Sequence, residues 1–344
     1  MYKIPFYKAR RFGDTFSDTF DFFKQSWRTI VRLGLYILLP LTLLQVIGVT
    51  EYYRDTMSTA MSGTAATDPL AMYRDLGPGF ILMLVASWVM WIFAVSMIYG
   101  LMKYYHQGDG DLSQLTLKTF WKAVQGRCFK RSLYIVLFSM IFVASIISVI
   151  ICIAYFGGST LNFLFTSYPL NVIVVVGIIG LIFLIFVFSL PLTLWAPIYL
   201  MEDQTSIFDA LRKTYRYGMR TWGSLFLLTL IMGLLINLIT TIVMVPGLIM
   251  LMIQVLVFPQ LTGVGPVIYA FITYIVMVVV TFIGWVATMP FLIAFGFHYG
   301  SAAEKIDHVT AAADIAHFNE LGDNNADDPD VAPRPSEIDD FEKL

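Results

Sequence analysis

Four histidines, two cysteines and twenty-two basic side chains are the groups in this 344-residue chain with which chemistry could begin. His308 and His317 lie nine positions apart in "EKIDHVTAAADIAHF", off the i, i+4 spacing that turns two ligands toward one metal from a helix. His106 stands alone beside "GDGDL", which has the opening acids of a calcium loop but not its remaining ligands or closing glutamate. That stretch reads as a turn and helix cap. Cys128 falls in a basic loop and Cys152 inside an apolar run, a placement that suits reduced structural thiols rather than a disulfide framework or a metal site. No Ser-His-Asp or Cys-His arrangement is recognisable, and neither "LGPGF" nor "LTGVGP" continues into the Lys-Ser/Thr of a phosphate cradle. No catalytic, metal or cofactor-binding residue is assigned, and no cofactor is expected.

Anion contact is the chemistry the spacing favours. In "SIFDALRKTYRYGMRTWGSLF", Asp209, Arg212, Lys213, Arg216 and Arg220 fall within an arc of about 100° on a helix. Ile207, Ala210, Leu211, Thr214, Gly218 and Trp222 share the opposite side. Ser206, with Asp209 three positions on, supplies a capping start. Such a helix is expected to lie in the membrane interface with its apolar face toward lipid. A second basic cluster, Arg127, Lys130 and Arg131, precedes another apolar run. These seven cations are the candidate contacts for anionic lipid headgroups or for a protein partner. Asn237, close to Thr240 and Thr241 inside an apolar run, is the candidate polar group of a cavity, although such residues also hydrogen-bond between helices.

The elements that must position these residues are membrane spans. The chain is 58% hydrophobic and 13% charged, against roughly 25% charged in soluble domains. Runs of about 20 apolar residues are long enough to cross a bilayer. Six are expected: about Ile30–Val49, Gly79–Met102, Ser132–Phe156, Leu170–Met201, Trp222–Val245 and Pro266–Tyr299. The segment 247–258, after Pro246, is interfacial, re-entrant or an extension of the fifth span bent at the proline. Twenty of the twenty-two Lys and Arg residues fall in 1–32, 101–131, 202–221 and the tail, all on one side of this arrangement; only Arg54 and Arg74 lie on the other. Since positive charge accumulates in cytoplasmic loops, both termini are expected in the cytoplasm.

Charge is also divided along the chain. Twelve acidic and three basic residues after position 300 give a tail of −9, which leaves +7 for the first 300 residues. The basic part suits an anionic membrane surface, and nucleic acid is not an expected partner. Residues 301–320 are expected to form a short helix and 321–344 an acidic, disordered tail.

An internal repeat underlies the layout. "TFSDTFDFFKQSWRTIVRLGL" and "LSQLTLKTFWKAVQGRCFKRSL" repeat the amphipathic pattern of 206–220, with Phe16, Phe20, Phe23, Trp27 and Ile30 in the first and Leu117, Trp121, Val124 and Cys128 against Lys118 and Lys122 in the second. Tyr99, Tyr199 and Tyr299 close the even-numbered spans at intervals of one hundred residues. The expected fold is all-α: a six-span membrane domain (1–300) of three parallel hairpin units, about 12–102, 112–201 and 205–300, each preceded by an interfacial helix.

Through Ser206, Ala210, Leu211 and Thr214, and through its hairpin layout, the chain resembles the six-span membrane domain found in some bacterial glycerophosphoryl diester phosphodiesterases and in related integral membrane proteins. The catalytic barrel of those enzymes has no counterpart here, so the resemblance implies location in a bacterial inner membrane and not the activity. Ionisable residues are absent from the middle of the expected spans, which disfavours a proton-coupled carrier. The function expected is that of a non-catalytic scaffold or accessory subunit for envelope or lipid-associated processes. The alternative is a transporter or channel for a lipid-like or uncharged solute near Asn237.

Overall fold

The structure is a computed structural model, and it describes residues 3–61, 77–108, 112, 115–124, 128–142, 144, 145, 148, 176, 177, 180, 183–257 and 263–311. Among these residues all regular structure is helical. Five helices are long and apolar enough to cross a membrane. The expected third span is described only through a helix over 128–142 and a few residues beyond it, so 143, 146, 147 and 149–156 lie outside the described residues, as do Arg127, Cys152, His317 and the acidic tail.

Helix α1 runs unbroken from Phe12 to Met61. A separate interfacial helix was expected before the first span, but here the amphipathic stretch continues directly into it. Nothing between Phe12 and Ile30 stops a helix: there is no proline, and the hydroxyls that could compete for the backbone are absorbed into the ladder. Thr15 donates to the Arg11 carbonyl at 3.2 Å, Thr19 to Thr15 at 2.6 Å and Ser26 to Phe22 at 2.6 Å. Thr15, Thr19, Phe22, Ser26 and Thr29 form the side of α1 that is buried in the protein, whereas Trp27 is 47% exposed.

Helix α2 (Pro78–Gln107) packs along α1. Their closest approach is made by two glycines. A methyl group on Gly48 would lie 2.5 Å from the Met83 nitrogen, and one on Gly79 would lie 2.6 Å from Glu51 Cβ. Backbone-to-backbone contact of this kind is how helices associate where lipid removes the usual hydrophobic drive. Gln45 of α1 joins a third helix to the pair: its Nε2 donates to Ser87 Oγ at 2.9 Å, and its Oε1 accepts from Trp285 Nε1 at 2.9 Å.

A short helix α3 (Leu117–Val124) follows, then α4 over 128–142. Helix α5 (Phe183–Met201) tightens to a 3-10 turn at Leu190–Leu194 around Pro191 and ends as an α-helix. Helix α6 (Ile207–Arg220) is separated by one residue from α7 (Trp222–Val257). Of the readings of 247–258, the extension of the fifth span is the one the described residues support, because α7 passes through Pro246 and continues to Val257. The continuation stays against its neighbour, with Gly247 packed on Met277 and Leu251 buried. Helix α8 (Val264–Asp307) completes the bundle and runs seven residues beyond the expected end of the membrane domain. It stops at His308, whose φ of 48° and ψ of 51° make a left-handed cap.

Candidate functional site

Apart from Glu51, Arg54 and Asp55 near the far end of α1, the described charges gather at one end of the bundle, many of them around the turn that follows α5. Arg131 of α4 points its guanidinium at the carbonyls that α5 leaves free at its C-terminus. It donates to Tyr199 at 2.7 Å, to Thr205 at 3.4 Å, and also to Glu202 and Asp203. The same group lies over the Tyr199 ring at 4.7 Å. A cation that satisfies the last carbonyls of a helix also opposes the negative end of its dipole. Lys103 of α2 pairs with Asp203 from another side.

Glu202 is the centre of this turn. One carboxylate oxygen accepts from Tyr299 at 2.7 Å, and the other accepts from Lys213 and Thr205. Burial would raise the carboxyl pKa, but the hydrogen bonds from Lys213, Thr205 and Tyr299, together with the Lys213 charge, more than offset it and hold the group below its ordinary value. Helices α2, α4, α6 and α8 thus each send a side chain into the turn Glu202–Thr205.

Helix α6 is fixed in place by its own sequence. Ser206 Oγ accepts from the Asp209 amide at 3.2 Å and donates to the Asp209 carboxylate at 2.6 Å, closing the cap its spacing predicts. The expectation that its apolar face would look toward lipid is corrected. Ala210, Thr214, Tyr217 and Gly218 are buried against the protein, and Gly218 sits so close to the 3-10 turn that a methyl group there would lie 2.6 Å from Pro191 Cβ. A small residue opposite a proline ring makes a tighter seat than lipid can offer. Tyr217 and Arg216 both bond to Asp307 at the end of α8. Association with Asp307, together with burial, raises the Tyr217 phenol pKa, burial being the larger cause.

The N-terminal segment closes the same end. Arg10 is fully buried and donates to Asp18 at 2.7 Å, to the Phe6 carbonyl at 2.8 Å and to Pro5, with its guanidinium 4.9 Å from the centre of the Phe297 ring. Its amide donates to Ser301 Oγ at 2.9 Å, Ile4 donates to the Tyr105 hydroxyl at 2.9 Å, and Lys3 reaches the Gly108 carbonyl at 2.7 Å. The segment thereby ties α1, α2 and α8 together.

The seven candidate cations thus divide. Arg131, Lys213 and Arg216 are engaged within the protein. Lys130, Arg212 and Arg220 are exposed with no ion-pair partner among the described residues, and Arg127 lies outside them. Asn237 is exposed on α7 and does not line the cleft between α1, α2 and α3. Among the described residues no group of three potential metal ligands occurs. Sequence reasoning passed over Glu202 and Arg10. The one available signal was the set of three acids, Glu202, Asp203 and Asp209, packed into a loop of four cations.

A second feature is a lateral cleft of about 530 Å³ between α1, α2 and α3, lined by Tyr36, Ile37, Pro40, Leu41, Phe93, Lys118 and Trp121.

The five long apolar helices define a polytopic helical membrane protein. Set against family models, curated proteins and solved structures, the chain matches none of them.

Proposed function

We propose that this protein is a non-catalytic scaffold or accessory subunit of a bacterial inner membrane, serving envelope or lipid-associated processes, with its basic end and both termini in the cytoplasm. The reading includes a sixth span within 132–156 and an origin in three hairpin units, as in the membrane domains that the sequence resembles. The observation that carries it is the use made of charge at the basic end. Three of the candidate cations stitch helices together and hold α6 rigid, and that helix then presents Arg212 and Arg220 outward beside Phe208 and Met219, both exposed. A rigid helix with an outward cationic and apolar surface is suited to holding a partner or an anionic headgroup.

The test is mass spectrometry of the protein purified gently with its native lipids and neighbours, comparing wild type with Arg212→Gln/Arg220→Gln. Lys213 and Arg216 are kept, because changing them would break internal ion pairs as well. Retention of a specific protein or anionic lipid by wild type, and its loss from the double variant, is the expected result. Equal retention by both, or saturable turnover by the purified protein, would sink the proposal.

A further inference from the structure

The cleft between α1, α2 and α3 combines an apolar floor with a charged, aromatic rim. Its floor is apolar: Ile37, Pro40 and Leu41 come from α1 and Phe93 from α2. Its rim is cationic and aromatic, since Lys118 and Trp121 sit one helical turn apart on α3, and Lys122 follows on the exposed side of the same short helix. Its volume of about 530 Å³ falls within the ~300–1,000 Å³ of ordinary ligand sites.

The rim is held in position and does not drift over the floor. Arg32 Nη2 donates to the Leu115 carbonyl at 2.9 Å, Thr29 Oγ1 donates to Leu112 at 3.2 Å, and Phe120 is buried on the inner side of α3. The amphipathic pattern of α3 puts Trp121 on its apolar side, yet Trp121 is 38% exposed and it is Phe120 that enters the core. Trp121 is thereby left free to face the cleft. On α1, Tyr36 lies about one turn beyond Arg32 and is 62% exposed. Pro40 has no N–H to give to the Tyr36 carbonyl, which loosens the α1 ladder at this point.

We infer that this cleft is a binding site for a single anionic glycerophospholipid, one acyl chain lying along Ile37, Leu41 and Phe93 while the phosphate meets Lys118 and Lys122. The occupant follows from the chemistry. The apolar floor accepts a hydrocarbon chain, the tryptophan and tyrosine suit the level of the headgroups, and a basic rim between spans selects negative over zwitterionic lipid. The inference rests on the membrane reading above, and it assigns to that scaffold a lipid class and a place distinct from the outward face of α6.

Native mass spectrometry of the full chain in detergent, titrated with phosphatidylglycerol or with phosphatidylcholine of identical acyl chains, tests it. Wild type is expected to hold one phosphatidylglycerol in preference to phosphatidylcholine. Lys118→Gln/Lys122→Gln should erase that preference, at about fivefold in affinity per lysine. Ile37→Trp, which fills the floor, should weaken both lipids. As a second measurement, acyl-brominated phosphatidylglycerol in nanodiscs should quench tryptophan fluorescence more than brominated phosphatidylcholine, and Trp121→Phe should remove the difference. Equal retention of the two lipids by wild type, or a preference unchanged in the lysine variant, overturns the site. So does quenching indifferent to Trp121. Arg212→Gln/Arg220→Gln should leave all of these results as in wild type, so that the α6 reading and the cleft can fail separately.

Discussion

The Tyr299 hydroxyl donates to the Glu202 carboxylate at 2.7 Å, joining the last long helix to the turn that ends α5, with Lys213 on the other carboxylate oxygen. Because Glu202 also accepts from Thr205, removing its charge would affect three partners at once. Glu202→Gln is expected to cost ~1–3 kcal/mol of stability near neutral pH, measured as a lower unfolding temperature in detergent.

The same carboxylate makes that difference pH-dependent. Its folded pKa is depressed, so its contribution is complete above the unfolded carboxyl value of about 4.3 and is lost as pH falls through the folded value. The gap in unfolding temperature between wild type and Glu202→Gln should therefore be constant above about pH 5 and close as the pH is lowered further. A gap that widens on acidification would show that Glu202 is not stabilised as a carboxylate.

Arg10 is buried and bonded to Asp18 and to backbone carbonyls at once, a geometry that needs a planar group with several donors. Arg10→Gln is expected to destabilise by roughly 3 kcal/mol, toward the lower end for a broken buried pair because Asp18 retains some access to water. Arg10→Lys should rescue little of it. Hydrogen exchange over residues 3–11 should rise in both variants; protection equal to wild type would show that Arg10 does not hold the segment.

Gly48 and Gly233 separate packing from helix propensity. Gly48→Ala places a methyl group 2.5 Å from a backbone nitrogen of α2 and is expected to cost ~1–3 kcal/mol. Gly233 has nothing within 4 Å, so Gly233→Ala should be neutral or stabilising by up to ~1 kcal/mol. Thermal unfolding of the two single variants decides the matter.

Gln45 bonds to Ser87 and Trp285, and helix-to-helix bonds in membranes are each worth ~0.6 kcal/mol on average. Gln45→Leu should thus cost about 1 kcal/mol and alter the fluorescence of Trp285, which also lies edge-on to Trp91 at 5.7 Å. A variant with unchanged emission would argue against the Trp285 contact.

What the sequence determined by itself was the set of properties that depend on neighbours along the chain. Hydropathy over some twenty residues marks a span wherever it occurs, which is why five long apolar helices stand where runs were expected. The Ser206 cap was likewise legible, because a cap spans only three residues. Tertiary structure alone decided which side of each helix meets protein. On α1 hydrophobicity singles out Phe16, Phe20 and Trp27, yet it is Thr15, Thr19 and Ser26 that are fully buried, since small hydroxyls bonded to their own helix permit close approach, while Phe16 and Phe20 pack only partly buried against the core and Trp27 is 47% exposed. Tertiary structure also decided which charges are spent. Arg212 and Lys213 are adjacent in sequence, but only Lys213 finds Glu202, because the two side chains leave the helix about 100° apart and only one points at the turn.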